Sequence, residues 1–360
     1  MSYERDNIRR MRGYTWGEQP EDAHTLKLNT NENPYPPSPR VQEALTTLDA
    51  ALLRTYPRPT ADPLRDRLAA LHGLARNNVL VTHGGDEGLR LAMTTFVDPG
   101  ASFAMADPSY SLYPVLAGIQ DARTFTLELD ADWNPPDDAA ARLNAADARL
   151  TCLVNPHAPS GTLIDRSRID AIARDLNGVL LVDEAYVDFV DPEHGHDLAP
   201  LLGEHPNLLL LRTFSKGYSL AGLRLGYLLG DAGLIEPMLN KTRDSYNVDA
   251  VSQALGQAAL EDRGYAEETW RRVREARQGL RHGLGQLGLN AGPSETNFLL
   301  VRIPEGARLR AVELQRQLKN HGILVRHFAS PRLDDCLRIS VGTPAQNQRL
   351  IDTMSELLGD

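Results

Sequence analysis

Between residues 79 and 229 the sequence keeps returning to a short apolar run, at 79–81, 102–105, 124–127, 150–154, 179–182, 208–211 and 225–229, with helical segments between the runs. A strand covered on one face alternates polar and apolar residues. In several of these runs the apolar residues are continuous instead, which belongs to strands covered on both faces. The pattern predicts a mostly parallel sheet with crossover helices, an α/β domain, and leaves few other folds open.

At 360 residues the chain exceeds what one core usually organises, so a large domain plus a smaller one is expected. Residues 1–39 read as an N-terminal arm whose end, Asn33-Pro34-Tyr35-Pro36-Pro37-Ser38-Pro39, favours extended chain able to reach across a neighbour. Residues 40–235 form the large domain, opening with helices at 41–53 and 62–71. Asp62 is read as the N-cap of the second, with Pro63 at its first helical position. A helical stretch over 236–286 links it to a small α+β domain at 287–360, with strands at 298–303 and 336–341 around a helix at 309–320, to which the arm contributes. A content of 42% hydrophobic and 24% charged residues suits an ordinary buried core. A net charge of -10 argues against nucleic acid and anionic membranes as partners. No window approaches 18 apolar residues, so neither a leader nor a membrane span is expected. Cys152 and Cys336 sit in apolar stretches and read as buried thiols rather than a disulfide, which favours the cytoplasm. No metal ligand is assigned.

The chemistry concentrates at strand ends, where open α/β sheets bind ligands. After the run 208–211 comes Arg212-Thr213-Phe214-Ser215-Lys216-Gly217, continuing to Arg224. Lys216 can point into a cleft there, its amine kept partly unprotonated by Arg224 nearby and so able to form an imine with an aldehyde. Thr213, Ser215 and Arg224 suit a phosphate. Asp183 ends the run 179–182 and can pair with the protonated ring nitrogen of a pyridoxal-type cofactor. Asn155, after 150–154, can donate its amide to the phenolic oxygen of such a ring. Gly84, Gly85 and Asp86 pass from strand into helix, a place for phosphate on backbone N–H groups. Tyr110, after 102–105, can stack on the ring. Each feature has a blander alternative, a solvated lysine, a helix cap, a turn residue or a rim tyrosine; their joint occurrence in one order tips the balance.

That order resembles the fold-type-I pyridoxal-phosphate aminotransferases, and more narrowly the histidinol-phosphate aminotransferase family. The resemblance rests on Leu28-Asn29-Thr30-Asn31-Glu32-Asn33-Pro34, Tyr56-Pro57, Gly85-Asp86-Glu87-Gly88, Asp183-Glu184-Ala185-Tyr186, Ser219-Leu220-Ala221-Gly222-Leu223-Arg224 and Ser245-Tyr246-Asn247-Val248. It implies that Lys216 holds pyridoxal 5'-phosphate as an imine, Asp183 pairs with the ring nitrogen, and Asn155 and Tyr186 hold the ring oxygen. It places Gly84, Gly85, Asp86, Thr213, Ser215 and Arg224 around the phosphate, and brings Tyr56 to that phosphate from the other subunit of a homodimer. Arg326 and Arg338 become the pair that binds the substrate's anionic end, with Tyr14 and Asn31 beside the substrate. A guanidinium fork suits phosphate and carboxylate alike, so one site serves a phosphorylated amino alcohol and glutamate or 2-oxoglutarate. The implied reaction is transamination between L-histidinol phosphate and 2-oxoglutarate, giving imidazole-acetol phosphate and L-glutamate, in histidine biosynthesis.

The turn His157-Ala158-Pro159-Ser160-Gly161 and the His83-Gly84-Gly85 stretch depart from the wording usual in the family, and both histidines are read as loop residues without a role. Competing readings are an aromatic amino-acid aminotransferase, using Arg338 for a carboxylate, and a threonine-phosphate decarboxylase. A transcription regulator of the same fold would need a DNA-binding module, and a non-catalytic binding protein would not need Lys216.

Overall fold

The apolar runs pair as strands. The computed structural model describes residues 2–359 and contains thirteen strands. β1 (Leu26–Lys27) lies in the arm; β2 (Val79–Thr82), β3 (Ser102–Asp107), β4 (Arg123–Glu128), β5 (Ala148–Val154), β6 (Val179–Asp183), β7 (Leu208–Thr213) and β8 (Gly226–Gly230) form one seven-stranded sheet, in the order β2-β8-β7-β6-β5-β3-β4. β4, β3, β5, β6 and β7 run parallel, while β8 is antiparallel to both β7 and β2. The two edges differ in burial. β2, at one edge, and its neighbour β8 are buried along their whole length, whereas β4, at the other edge, buries Leu127 with exposed residues on either side, as expected where only one face is covered.

This topology brings the chemistry to one edge. The five parallel strands end there, and β2, antiparallel to β8, ends there too, with Thr82, Gly226 and Thr213 in register. Thr82, Asp107, Val154, Asp183 and Thr213 therefore hand the chain to their loops side by side.

The second sheet, in the order β12-β13-β10-β9, is antiparallel and built from β9 (Asn290–Ala291), β10 (Phe298–Arg302), β12 (Arg326–His327) and β13 (Cys336–Ser340). β11 (Ile323–Leu324) pairs in parallel with β1, which ties the arm to this part of the chain. The long helix Arg263–Gln286 spans the two regions: its Trp270 Nε1 donates to the Gly217 carbonyl (2.7 Å) and its Arg277 to the Thr296 carbonyl (2.8 Å).

Several local expectations are corrected. The helix read at 41–53 is two pieces, Pro39–Thr47 capped by Ser38, and a 3-10 turn Ala50–Arg54 started by Asp49, whose carboxylate accepts from the Ala51 N–H (2.8 Å). Asp62 is the first helical residue rather than the N-cap, because its carboxylate turns to Thr60 Oγ1 (2.8 Å) and Arg65 (3.0 Å), and Ala61 takes the cap position at φ 49°. The arm is not wholly extended and contains the short helix Asp6–Arg10. The C-terminal helix Pro344–Leu358 went unread, although Thr343 and Gln346 spell a capping box before it. Cys152 and Cys336 are both buried and free.

Candidate active site

Lys216 stands in a loop that closes on itself just beyond β7. Phe214, fully buried, donates its N–H to the Leu225 carbonyl (3.0 Å) and accepts from Leu220 (3.1 Å). Thr213 Oγ1 donates to the same Leu225 carbonyl (3.2 Å) and accepts from the Ser215 N–H (3.0 Å), so this hydroxyl shapes the loop. The Lys216 ammonium donates to the Thr30 carbonyl of the arm (2.9 Å). Burial, reinforced by Arg338 and Arg224 and opposed by Glu32, brings its pKa down to about 8. Glu32 keeps its charge in spite of burial because Lys27 and Thr30 hydrogen-bond to it and hold it below the usual carboxylate range.

Asp183, at the end of β6, is 5% exposed. It accepts from the Tyr113 hydroxyl (2.8 Å) and the Ala185 N–H (3.1 Å), and takes no basic side chain as partner among the described residues. Burial pushes its pKa up to about 6 against those two hydrogen bonds. A buried acid held by neutral donors alone is a place for a cationic N–H. Next to it, the fully buried Asn155 clasps Ile164 through both ends of its amide, Oδ1 accepting at 2.8 Å and Nδ2 donating at 3.1 Å, which leaves one amide hydrogen to give. The Tyr186 hydroxyl accepts from Asn31 Nδ2 (3.0 Å), and the Lys216 ammonium lies 6.0 Å from the centre of its ring.

An anion cup adjoins this group. Gly84 opens the helix Gly84–Phe96 at φ 75°, and a Cβ there would meet Arg224 Nη2 at 2.8 Å. Arg224 bonds Ser215 Oγ and the Asp86 carboxylate, each at 3.3 Å. The first N–H groups of the helix lack intrahelical acceptors and carry the positive end of its dipole. Tyr110 closes the side, its hydroxyl donating to Asp86 (3.2 Å) and its ring edge-to-face with Tyr113 (5.6 Å between centres). Amine, buried acid, amide donor and anion cup together fit pyridoxal phosphate.

On the other sheet, Arg326 and Arg338 face each other directly across β12 and β13. Neither takes a carboxylate partner among the described residues: Arg338 donates to the Asn29 carbonyl (3.3 Å), and Arg326 to the Thr15 and Trp16 carbonyls (3.4 Å each). The Arg338 Nε is buried without any acceptor, and its guanidinium lies 5.2 Å from the ring centres of both Phe298 and Phe328. Burial lowers the Arg338 pKa, and Arg326 adds to the effect. Two neighbouring cations with unspent donors make a receptor for an anion.

Tyr14 lies 6.0 Å from Tyr110, ring centre to ring centre. Tyr56 is not gathered into this cluster: 80% exposed, it stacks on Tyr246 at 4.4 Å. His83 is exposed, whereas His157 is buried between Ser160 Oγ (2.7 Å) and the Pro108 carbonyl (3.0 Å), with its pKa brought down to about 4 by burial. Sequence reasoning missed Tyr113, the Thr30 and Asn29 carbonyls and Glu32. Tyr113 lies in the helix Leu112–Gln120, and no local sequence signal ties it to Asp183.

The sequence profile of the family described as aminotransferase class I and II matches residues 23–354. The chain is 39% identical over 359 residues to a histidinol-phosphate aminotransferase of Microcystis aeruginosa, covering 99% of this chain and 98% of the relative. It is 38% identical over 354 residues to that of Geotalea daltonii, covering 98% and 99%. Among solved structures, histidinol-phosphate aminotransferase of Sinorhizobium meliloti in complex with pyridoxal-5'-phosphate superposes with a TM-score of 0.90 at 26% identity, covering 99% of this chain and 98% of that one.

Proposed function

The chain belongs to the class I and II aminotransferases, and within them to the histidinol-phosphate aminotransferases; on that premise we propose how its residues divide the work. It is a pyridoxal-phosphate aminotransferase, and its reaction is transamination between L-histidinol phosphate and 2-oxoglutarate, giving imidazole-acetol phosphate and L-glutamate, in histidine biosynthesis. When bound, pyridoxal phosphate supplies an aldehyde for amines and a ring that takes up the electron pair left when the substrate Cα loses its proton. Lys216 would hold the cofactor, and its amine would move that proton as base and then as acid. Its lowered pKa supports this task. The Asp183 carboxylate keeps the ring nitrogen protonated, and Asn155 and Tyr186 donate to the ring oxygen. Gly84, Gly85, Asp86, Thr213, Ser215 and Arg224 surround the phosphate, and Tyr110 covers the ring.

The observation that carries the choice of substrate is the cross-strand pair Arg326 and Arg338, unmatched by any carboxylate among the described residues. It binds the phosphate of the amino alcohol and the distal carboxylate of glutamate in turn. Tyr14 borders this end of the site. We place the reaction in a homodimer, with Tyr56 reaching the partner's phosphate cup; its exposure supports this. The domain division at 40–235 and 287–360, with linking helices at 236–286, and a cytoplasmic setting belong to the same proposal. No helix of the described residues is long and apolar enough to cross a membrane.

The test is an absorbance-monitored half-reaction, with L-histidinol phosphate and L-phenylalanine added separately to the cofactor-loaded protein. Reaction with histidinol phosphate at far lower concentration supports the arginine pair as a phosphate receptor. An equal response to phenylalanine would make the chain an aromatic aminotransferase.

A further inference from the structure

The division of labour above gives Asn31 no task, yet it is among the most completely engaged side chains of the site. It lies in the arm, 1% exposed, at φ 59°, a left-handed conformation that asparagine tolerates better than most residues. Its N–H donates to Ser340 Oγ (2.8 Å) and its carbonyl accepts from Asn297 Nδ2 (2.8 Å). Its Oδ1 accepts from Ser340 Oγ (3.0 Å) and its Nδ2 donates to the Tyr186 hydroxyl (3.0 Å). In this orientation the Ser340 hydroxyl receives the backbone N–H and gives its own hydrogen to Oδ1, and Nδ2 directs an N–H to the Tyr186 oxygen.

A tyrosine hydroxyl that accepts from Nδ2 keeps its own hydrogen for another acceptor. We propose that Asn31 is a positioning residue which aims the Tyr186 hydroxyl hydrogen into the cofactor site, toward the ring oxygen, rather than a contact to substrate. This rests on the assignment of Tyr186 to that oxygen. The neighbouring arm residues act alike on other groups, the Thr30 carbonyl holding Lys216 and the Asn29 carbonyl holding Arg338. The charged and titratable groups facing Tyr186 are Arg338, Asp183, Tyr14, Tyr110 and Lys216.

A hydrogen bond donated to the ring oxygen withdraws negative charge from it, so the bound cofactor releases its own proton at lower pH. The readout is the pH midpoint of the bound cofactor's visible absorbance, with the cofactor dissociation constant measured beside it. Tyr186→Phe should raise the midpoint by about one pH unit. Asn31→Asp replaces the donor by an acceptor that takes the tyrosine's hydrogen, and should raise the midpoint by a similar amount, but far less when Tyr186→Phe is already present. Ser340→Ala, which frees the amide to turn without adding charge, should shift it in the same direction by less, and it carries the test alone if Asn31→Asp does not fold. Equal shifts from Asn31→Asp in both backgrounds would report only the field of an added carboxylate and overturn the proposal. So would a midpoint moved by Tyr186→Phe but not by the Asn31 and Ser340 variants. A midpoint indifferent to Tyr186→Phe would instead remove the assignment of Tyr186 to the ring oxygen, and this inference with it.

Discussion

Lys216 is half-buried and Asp183 buried, and loss of water moves each toward its neutral form. For Lys216 the consequence is chemical. With a pKa of about 8, about one amine in ten is unprotonated at pH 7, against fewer than about one in a thousand for an ordinary lysine. The rate at which cofactor-free protein takes up pyridoxal phosphate should therefore rise with pH and level off above about 8; a midpoint above 10 would show an unperturbed lysine. For Asp183 the consequence is a tension between stability and function. Its folded pKa of about 6 lies above the unfolded value, so the unfolded chain binds fewer protons between about pH 4 and 6. Stability of the cofactor-free protein falls across that window, and the penalty is complete above it. Asp183→Asn should stabilise cofactor-free protein at pH 7.5 by at most about 3 kcal/mol, and so raise its melting temperature, provided the amide keeps the Tyr113 and Ala185 contacts. The same variant should lose most turnover. A lower melting temperature would show that those contacts outweigh the burial of charge.

The elements that matter most are those that change direction at the edge of the large sheet. The turn from β2 into the helix Gly84–Phe96 requires a left-handed residue with no side chain, because Arg224 fills the space a Cβ would take. Gly84→Ala should weaken cofactor binding at least tenfold by displacing that guanidinium, while destabilising the fold by only about 1 kcal/mol. Titration of cofactor-free protein with pyridoxal phosphate measures the first effect and thermal melting the second. Unchanged affinity would move the phosphate site elsewhere. The sequence placed this turn from its glycines, as it placed the strands from their unbroken apolar runs, since both signals are local. It placed helix starts less well. Asp62 looked like a cap, but its carboxylate was drawn to Arg65 and Thr60, a competition that residue preference alone does not settle.

At the scale of the whole molecule, Tyr56 is exposed on its own chain and Lys216 is half-buried. If Tyr56 serves the partner's cup, a Tyr56→Ala chain and a Lys216→Ala chain, each impaired alone, should form mixed dimers with one intact site. Mixing equal amounts should restore activity toward about a quarter of that of the unaltered protein, since half the dimers are mixed and each of these has one intact site of two, and both changes in one chain should restore none. No recovery on mixing would place Tyr56 outside the catalytic assembly.

The sequence by itself determined the parallel sheet, the strand ends that carry Lys216, Asp183 and Asn155, and the family, because apolar runs, glycines and short motifs act over a few neighbouring residues. Only the tertiary structure decided that Tyr113 holds Asp183, that Arg326 stands opposite Arg338, and that Asn31 meets Tyr186 across 155 positions of chain. Hydrogen-bond partners of buried side chains are chosen by which distant segments the core brings together, and no local pattern records that choice.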